Sequence, residues 1–352
     1  MLASLRLPIL CSSRRLRPLV AGCGLAYALA IVTVWALLQL GDFHWLPTLL
    51  MFGPHWVWAV PVAIIIPMML MTRLVVPGVL LSGLSSLLLG SIAGFCIPEA
   101  GVSTRLGAPL RVLSCNVQGL PKGSAKLRQL LERLDPDVIA LQECYQGLQF
   151  EWLEGWHICR REQLMIASRH PLREVGFTKR RIAGEDREPV NVLQCVVRVE
   201  GTDVRICNVH LRTPRLGFEQ LLELRRTAPA AMQSEIRYRR VESQIIEQGL
   251  RYVTAPLIVC GDFNMPEGSV IYQRYWSRFD NAFSLCGLGC GYTKRTALRG
   301  WSYGLRIDHV LTGGDLQARR CWVATDIGSD HLPVVADLTV SSTQVASARR
   351  RW

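Results

Sequence analysis

Residues 257–264 read LIVCGDFN, an apolar run followed at once by polar residues. Ile258 and Val259 favour a β-strand, and a short continuous apolar run that ends at a glycine is typical of a buried strand. Asp262 and Asn264 would be costly inside an apolar core without hydrogen-bond partners. The segment therefore predicts a central strand that delivers polar side chains to the edge of a sheet.

Polar residues end apolar strands at several other places on both sides of this segment. They are Asn116 in LSCNV, Glu143 in VIALQE, Asn208 and His210 in ICNVHL, Asp308 and His309 in RIDHV, and Asp330 and His331 in SDHLP. Taken singly, each has a structural explanation, such as an Asx turn or a hydrogen-bonded core histidine. Taken together they predict a cleft, because side chains at strand ends converge on one edge of a sheet.

Further apolar runs between residues 110 and 340 predict a mixed fold. Strands are predicted at 110–117, 137–142, 163–168, 190–199, 203–211, 256–261, 306–312 and 333–340. Helical periodicity marks 123–134 and 232–250, and residues 200–202 predict a hairpin turn. Hairpins mixed with helices indicate an α/β sandwich and not a uniform βαβ repeat.

The first hundred residues are of a different kind, because 19–40, 43–72 and 74–98 carry no charged side chain. A spanning helix needs roughly 20 apolar residues, so each run is long enough. A cleaved signal peptide would show one short apolar core instead of three. We therefore expect about three transmembrane helices (19–40, 48–72 and 74–97), a linker at 101–110, a catalytic domain at 110–340 and a tail at 341–352.

Arginines predict the orientation of this anchor. Those before the first run are Arg6, Arg14, Arg15 and Arg17. The positive-inside rule places them, and Arg73 between runs two and three, in the cytoplasm. Three crossings of the cytoplasmic membrane then put the catalytic domain on its outer side. If the second run, which contains Gly53-Pro54, is re-entrant, the count becomes two and the domain faces the cytoplasm.

Charge and cysteine content limit the possible partners without choosing one. Residues 101–352 hold 35 Lys and Arg against 26 Asp and Glu, a net charge of +9 that favours anionic partners such as nucleic acid or acidic lipid. Cys195 with Cys207, or Cys286 with Cys290, could form a disulfide, although neither spacing proves one. No cysteine pair has zinc-site spacing.

The order of the strand-end motifs resembles the endonuclease/exonuclease/phosphatase superfamily, which has a deoxyribonuclease-like fold. The matching pieces are NVQG at 116–119, QE at 142–143, NVHL at 208–211, GDFN at 261–264, RIDHV at 306–310 and SDH at 329–331. The resemblance covers essentially all of 110–340. It implies a four-layer α/β/β/α sandwich, here preceded by the helical membrane anchor.

The resemblance also implies a metal site. The family residue that matches Glu143 is the main ligand of a divalent cation, usually Mg²⁺, with Mn²⁺ as the alternative. The positions of Asn116 and Asp330 lie beside that cation. Some nuclease members carry an acidic residue where this chain has Gln118, which leaves the number of metal ions open.

Catalytic roles follow from the same resemblance. The positions of Asp262 and Asn264 orient the attacking water and the phosphate. The position of His331 is paired with the carboxylate of Asp308. The position of His210 contacts the scissile phosphate or the leaving group.

Two arginines after His210 are expected phosphate contacts, Arg212 and Arg215, because guanidinium matches phosphate geometry. Arg237, Arg239 and Arg240 are expected on a solvated helix face. Trp301 and Tyr303 either stack on a base or sugar or pack into the core.

We therefore expect a hydrolase of phosphodiester bonds that uses direct attack by water, since no Ser or Cys nucleophile is evident. Nucleic acid is the expected substrate, and a phospholipid or phosphoinositide headgroup is the alternative that the membrane anchor favours. A catalytically inactive binding module is the third option, and it predicts the loss of a key polar residue. No obligate protein partner is expected.

Overall fold

Two six-stranded β-sheets form the centre of the computed structural model, which describes residues 13–99, 107–121, 123–145, 147–180, 190–298 and 300–341. The first sheet contains, in spatial order, β13 (Leu316–Val323), β14 (Val334–Val340), β1 (Ala108–Asn116), β2 (Val138–Gln142), β4 (Leu164–Ser168) and β3 (His157–Arg161). The second contains β5 (Leu172–Arg180), β6 (Val190–Val199), β7 (Thr202–His210), β8 (Leu257–Asp262), β12 (Asp308–Gly313) and β9 (Asp280–Asn281). A separate hairpin joins β10 (Lys294–Leu298) to β11 (Trp301–Leu305).

Helices cover the outer faces of both sheets. Helix α5 (Ala125–Leu134) packs its leucines on the first sheet, and α7 (Ala228–Leu250) packs on the second. The shorter helices of this part are α6 (Arg215–Leu222), α8 (Val270–Tyr275) and α9 (Ala282–Cys286). Apolar side chains of both sheets form a common core between them. The predicted four-layer α/β/β/α sandwich is therefore confirmed, and we call residues 107–341 the sandwich.

All eight predicted strands are present, but several edge strands and short strands are missing from the prediction. His157–Arg161, Leu172–Arg180 and the hairpin β10–β11 are partly exposed, so their polar residues hide the apolar pattern. Helix α5 ends at Leu134 and is followed by Asp135, which has a left-handed backbone (φ 47°) and precedes Pro136. Glu200 and Gly201 form the predicted turn between β6 and β7.

Two parallel strand pairs bring the polar strand ends together. Asn116 ends β1 opposite Gln142 at the end of the parallel strand β2. His210 ends β7 opposite Asp262 at the end of the parallel strand β8. The antiparallel strand β12 begins with Asp308, also opposite Asp262. Carboxyl ends of parallel strands share one edge, so both sheets present their polar residues on the same side of the sandwich.

The N-terminal helices comprise α1 (Ser13–Leu38), α2 (Trp45–Met51), α3 (Ala59–Met71) and α4 (Val75–Ala93), with a 3₁₀ turn at His55–Trp58. We call residues 13–99 the helical segment. Leu16–Leu38 and Val75–Ala93 are each long and apolar enough to cross a membrane. The second predicted span, 48–72, is not one straight helix, because α2 and His55–Met71 meet at 87°. Gly53-Pro54 lies at the break, where proline cannot continue the helical hydrogen bonds.

Helices α1 and α4 run side by side in the same direction, with Trp35 Nε1 donating to Ser91 Oγ at 3.3 Å. Both end beside the sandwich, where Cys96 exchanges backbone hydrogen bonds with Gly289. Arg73 precedes α4, whose 19 residues rise about 28 Å, so it lies at the far end of the bundle. Arg6, residues 101–106 of the linker and residues 342–352 of the tail lie outside the described residues.

All eleven cysteines of the described residues are free thiols. Cys195 faces the core between the sheets, whereas Cys207 faces α7. The two side chains therefore lie on opposite faces of one sheet and do not meet. Cys286 and Cys290 are also unpaired.

Candidate active site

Asn116 joins a carboxylate from each sheet. Its Nδ2 donates to Glu143 Oε1 at 2.9 Å and to Asp262 Oδ2 at 3.1 Å. Its Oδ1 accepts the backbone N–H of Gln118 at 3.0 Å, which fixes the amide. Glu143 directly follows β2 and has a left-handed backbone (φ 50°), so its side chain leaves the strand and reaches the cleft.

His331 and Asp308 form a buried pair. The Nδ1 of His331 lies 2.9 and 3.1 Å from the two carboxylate oxygens of Asp308. Its Nε2 lies 3.6 Å from Asp262 Oδ2. Burial alone would lower the pKa of His331, but the carboxylates of Asp308 and Asp262 raise it to about 9. Burial works against ionisation of Asp308 as well, yet His331 holds the pKa of that carboxyl below its usual value, so the pair is charged at neutral pH.

The GDFN turn fixes the carboxylate of Asp262. The backbone N–H of Asn264 donates to Asp262 Oδ1 at 2.8 Å, and Asn264 Nδ2 donates to Leu211 O at 2.8 Å. A side chain at Gly261 would place its Cβ 1.9 Å from Val209 O, so only glycine fits between the parallel strands. Burial and the nearby Asp308 raise the pKa of Asp262 above its ordinary value.

His210 stands over the same carboxylates at longer range. Its Nε2 is 3.8 Å from Glu143 Oε1 and 3.7 Å from Asp262 Oδ2. Among the described residues nothing hydrogen-bonds its buried Nδ1. The ring lines the cleft, with its Nε2 toward the two carboxylates.

Asp330 is held by a residue that sequence analysis did not single out. Its Oδ2 forms an ion pair with Lys294 Nζ, and its Oδ1 lies 3.9 Å from His331 Nε2. Lys294 lies on β10 and lines the cleft. A second overlooked residue is Ser329, whose hydroxyl donates to Asn116 O at 2.8 Å and accepts from the backbone N–H of His331 at 3.1 Å.

The site has the donors that a hard divalent cation needs. Ligand atoms of Asp262, Asp308 and His331 lie within 4.8 Å of one another. Both oxygens of Asp308 face His331, however, so that carboxylate is better explained as the partner of the histidine. Glu143 opens into the cleft and shares Asn116 with Asp262, so it is the better-placed ligand. Carboxylate oxygens suit Mg²⁺ or Mn²⁺, whereas the amide oxygen of Asn116 faces the backbone N–H of Gln118.

The two arginines proposed for substrate binding have different surroundings. Arg212 Nε lies 3.2 Å from the buried carboxylate of Glu235, its backbone N–H donates to Glu242, and it does not line the cleft. Arg215 begins α6 and does line it. Arg239 was expected on a solvated face, but it is fully buried. The reason is its ion pair with Asp42 of the helical segment.

The polar residues form one side of a cleft of about 540 Å³. The other side is apolar and comes from three elements: α2 with the turn after it, α6, and β11 with the residues that follow. These residues are Leu49, Phe52, Pro54, Phe218, Leu221, Leu222, Tyr303, Leu305 and Ile307. Trp301 packs on Trp56 at 5.5 Å, and Tyr303 donates to Phe52 O at 3.0 Å, so both contact the helical segment.

Solved structures are similar to this chain at low sequence identity. A truncated TDP2 from Caenorhabditis elegans is 17% identical over 66% of this chain and 98% of its own, with a TM-score of 0.50. TDP2 from the same organism is 16% identical over 67% of this chain and 77% of its own, also at 0.50. An endonuclease/exonuclease/phosphatase family protein from Bacteroides thetaiotaomicron is 15% identical over 67% of this chain and 100% of its own, with a TM-score of 0.49. No curated protein is significantly similar in sequence.

A family model matches residues 113–331, which is more than half of the chain. The matched region contains all the polar strand ends, from Asn116 to His331. The family consists of phosphoester hydrolases that depend on a divalent metal, and the cluster of carboxylates and histidines fits that chemistry. The chain therefore belongs to the endonuclease/exonuclease/phosphatase family.

Proposed function

We propose that this enzyme hydrolyses phosphodiester bonds at a membrane surface by direct attack of water, with Mg²⁺ as the preferred cation. The observation that carries the proposal is the geometry around Asp262. Its carboxylate is bonded to Asn116 and lies within 4 Å of His210 and His331. Water and phosphate can therefore be oriented by one acidic and two imidazole groups.

Glu143, with Asn116 and Asp330 beside it, is the proposed metal site. A cation bound there would neutralise phosphoryl oxygens as a Lewis acid. Mn²⁺ has similar ligand preferences and is the alternative. Support comes from the carboxylate of Glu143, which faces the cleft, and from its shared contact with Asp262 through Asn116.

Asp262 is the proposed base. A carboxylate with a raised pKa removes a proton from water more effectively than an ordinary aspartate. The backbone N–H of Asn264 holds one of its oxygens and leaves the other directed at His331 and Asn116. Direct attack is supported because no serine or cysteine is present among the described residues that line the cleft.

His331 is the proposed cation beside the phosphate. A pKa of about 9 keeps it protonated at neutral pH, and Asp308 fixes which nitrogen faces Asp262. A protonated imidazole stabilises charge that develops on phosphoryl oxygens. His210, which lines the cleft beside Asp262, is the proposed donor to the leaving oxygen.

The helical segment supports a membrane location. Arg73 lies at the end of the bundle opposite the sandwich, which agrees with three passes and a sandwich on the outer side of the cytoplasmic membrane. We propose that His55–Met71 of the bent pair α2–α3 forms the middle pass.

The direct test uses the full chain in detergent and a small water-soluble phosphodiester, bis(4-nitrophenyl) phosphate. We expect turnover with Mg²⁺ that stops when a chelator is added and returns with Mg²⁺ or Mn²⁺. Folded protein that fails to cleave the probe with any divalent metal would overturn the proposal and favour a binding module.

A further inference from the structure

The cleft has a polar floor and an apolar wall, and part of the wall belongs to the helical segment. The floor consists of Glu143, His210, Asp262, Asp330 and His331. Phe52 and Pro54 lie in the break between α2 and α3 and face the cleft. The ring of Phe52 lies 5.6 Å from that of Phe218 on α6. Phosphodiester hydrolysis alone does not need this wall. The wall is therefore evidence about the rest of the substrate.

The apolar surface continues outward along α6. Leu222 lines the cleft and is 68% exposed, while Leu224, just beyond the helix, is 89% exposed. Arg225 and Arg226 follow directly and are exposed as well. Exposed leucines next to arginines are typical of a segment that lies at a lipid interface.

The position of α6 agrees with a location at the lipid interface. It packs through Phe218 on Phe52 of the segment that follows α2, and α2 begins at Trp45, shortly after α1 ends at Leu38. Because α1 is long and apolar enough to cross a membrane, its end at Leu38 marks the level of the bilayer surface. The apolar wall, which includes Phe52 and residues of α6, therefore lies near that level.

The cations around the cleft do not favour a long polyanion. Of the Lys and Arg side chains that line the cleft, Lys294 is paired with Asp330 and Arg295 with Asp326 at 3.3 Å, so Arg215 is the one that has no ion pair among the described residues. A nucleic acid strand would need several cations that are free to contact successive phosphates. A lipid needs a polar site for one phosphate and an apolar wall, and the cleft offers both.

We propose that the substrate is a lipid phosphodiester taken from the bilayer, with its phosphate beside His331 and His210 in the cleft and its hydrocarbon chain on Phe52, Phe218 and Leu222. The inference rests on the proposed phosphodiesterase function. In the reaction, the oxygen of water forms a bond to phosphorus and one ester P–O bond breaks. The proton released by the water ends on the departing alkoxide, which gives an alcohol and a phosphomonoester.

The test compares two probes with the same scissile bond, methyl 4-nitrophenyl phosphate and dodecyl 4-nitrophenyl phosphate. Full-length protein is assayed in detergent micelles with Mg²⁺. We expect kcat/KM for the dodecyl probe to exceed that for the methyl probe by about tenfold or more, because burial of several methylene groups stabilises the complex. Equal values for the two probes would overturn the lipid inference while leaving the phosphodiesterase function intact. Failure to cleave either probe would instead count against the proposed function.

Leu222→Gln provides the variant test, because this side chain is largely exposed and its change does not endanger folding. We expect it to reduce the preference for the dodecyl probe several-fold. Tyr252→Gln removes an aromatic side chain that is also largely exposed and does not line the cleft, and it should leave the preference unchanged. An unchanged preference in Leu222→Gln would contradict the assigned wall. Faster cleavage of a single-stranded DNA or RNA oligonucleotide than of the dodecyl probe would assign the site to nucleic acid.

Discussion

Asp42 of the helical segment and Arg239 of α7 form an ion pair in which both side chains are completely buried. Arg239 Nη1 also donates to the backbone oxygen of Asn264 at 2.7 Å. Ser269 Oγ donates to the second oxygen of Asp42 at 2.6 Å. This chain of contacts connects the helical segment to the loop that carries Asn264, so the placement of the active-site loop depends on the helical segment.

Asp42→Ala should lower stability and activity together. Removing one partner of a buried ion pair leaves an uncompensated charge and costs about 3–5 kcal/mol. Thermal unfolding in detergent and kcat for bis(4-nitrophenyl) phosphate measure the two effects. Asp203→Ala is the control, because its pair with Arg198 is exposed and is worth at most about 1 kcal/mol. Similar unfolding temperatures for the two variants would contradict the role of the buried pair.

Asp262→Ala and His331→Ala should each reduce kcat by about 10²–10⁴-fold, since both proposed roles are in proton transfer or charge stabilisation. Circular dichroism checks that each variant is folded. His157→Ala serves as the control, because His157 is exposed on β3. Turnover near that of the wild type in either folded variant would show that the site is assigned to the wrong residues.

Glu143→Gln keeps the shape of the side chain and removes its charge. A hard cation is held chiefly by carboxylate oxygens, so the Mg²⁺ concentration for half-maximal activity should rise at least about tenfold. Titration of activity with Mg²⁺ measures the shift. Glu162→Gln, which affects an exposed pair with Lys179, should leave the curve in place. An identical curve for Glu143→Gln would exclude Glu143 as the ligand.

Glu242→Gln should stabilise the protein increasingly as pH rises. Burial raises the pKa of Glu242 to about 8, so the folded state favours the neutral carboxyl. The stability of the wild type that depends on neutral Glu242 is fully present below the unfolded pKa near 4.5. It is lost as the pH rises from there to about 8, by at most about 1.4 kcal/mol per pH unit. Unfolding temperatures from pH 5 to 8 measure the difference. Glu132 is exposed, so Glu132→Gln should show no pH-dependent difference in unfolding temperature from the wild type. A difference between Glu242→Gln and the wild type that stays the same at every pH would contradict the raised pKa of Glu242.

Topology can be measured with a reporter fused after Trp352. We expect activity from a reporter that works only outside the cytoplasm, because Arg73 and the sandwich lie at opposite ends of the bundle. If the external reporter is silent and a cytoplasmic reporter at the same position is active, the sandwich lies in the cytoplasm and the expected orientation is wrong.

The amino-acid sequence by itself determined the sandwich and the polar strand ends. Asn116, Glu143, Asp262 and His331 stand out because an apolar strand that ends in a polar residue is a local pattern, readable without knowledge of any contact. The order of these motifs also identified the family. Partly exposed strands such as Leu172–Arg180 were not found, because their apolar residues are interrupted.

Only the tertiary structure decided which of these groups meet and what surrounds them. Asp42 and Arg239 are 197 positions apart, and nothing near either residue indicates the other. The same holds for the pairing of Arg212 with Glu235 and for the contact of Phe52 with Phe218. A local pattern reports whether a residue prefers burial, whereas a contact between distant residues depends on how whole elements pack. The polar residues of the cleft could therefore be predicted from the sequence, and the apolar wall could not.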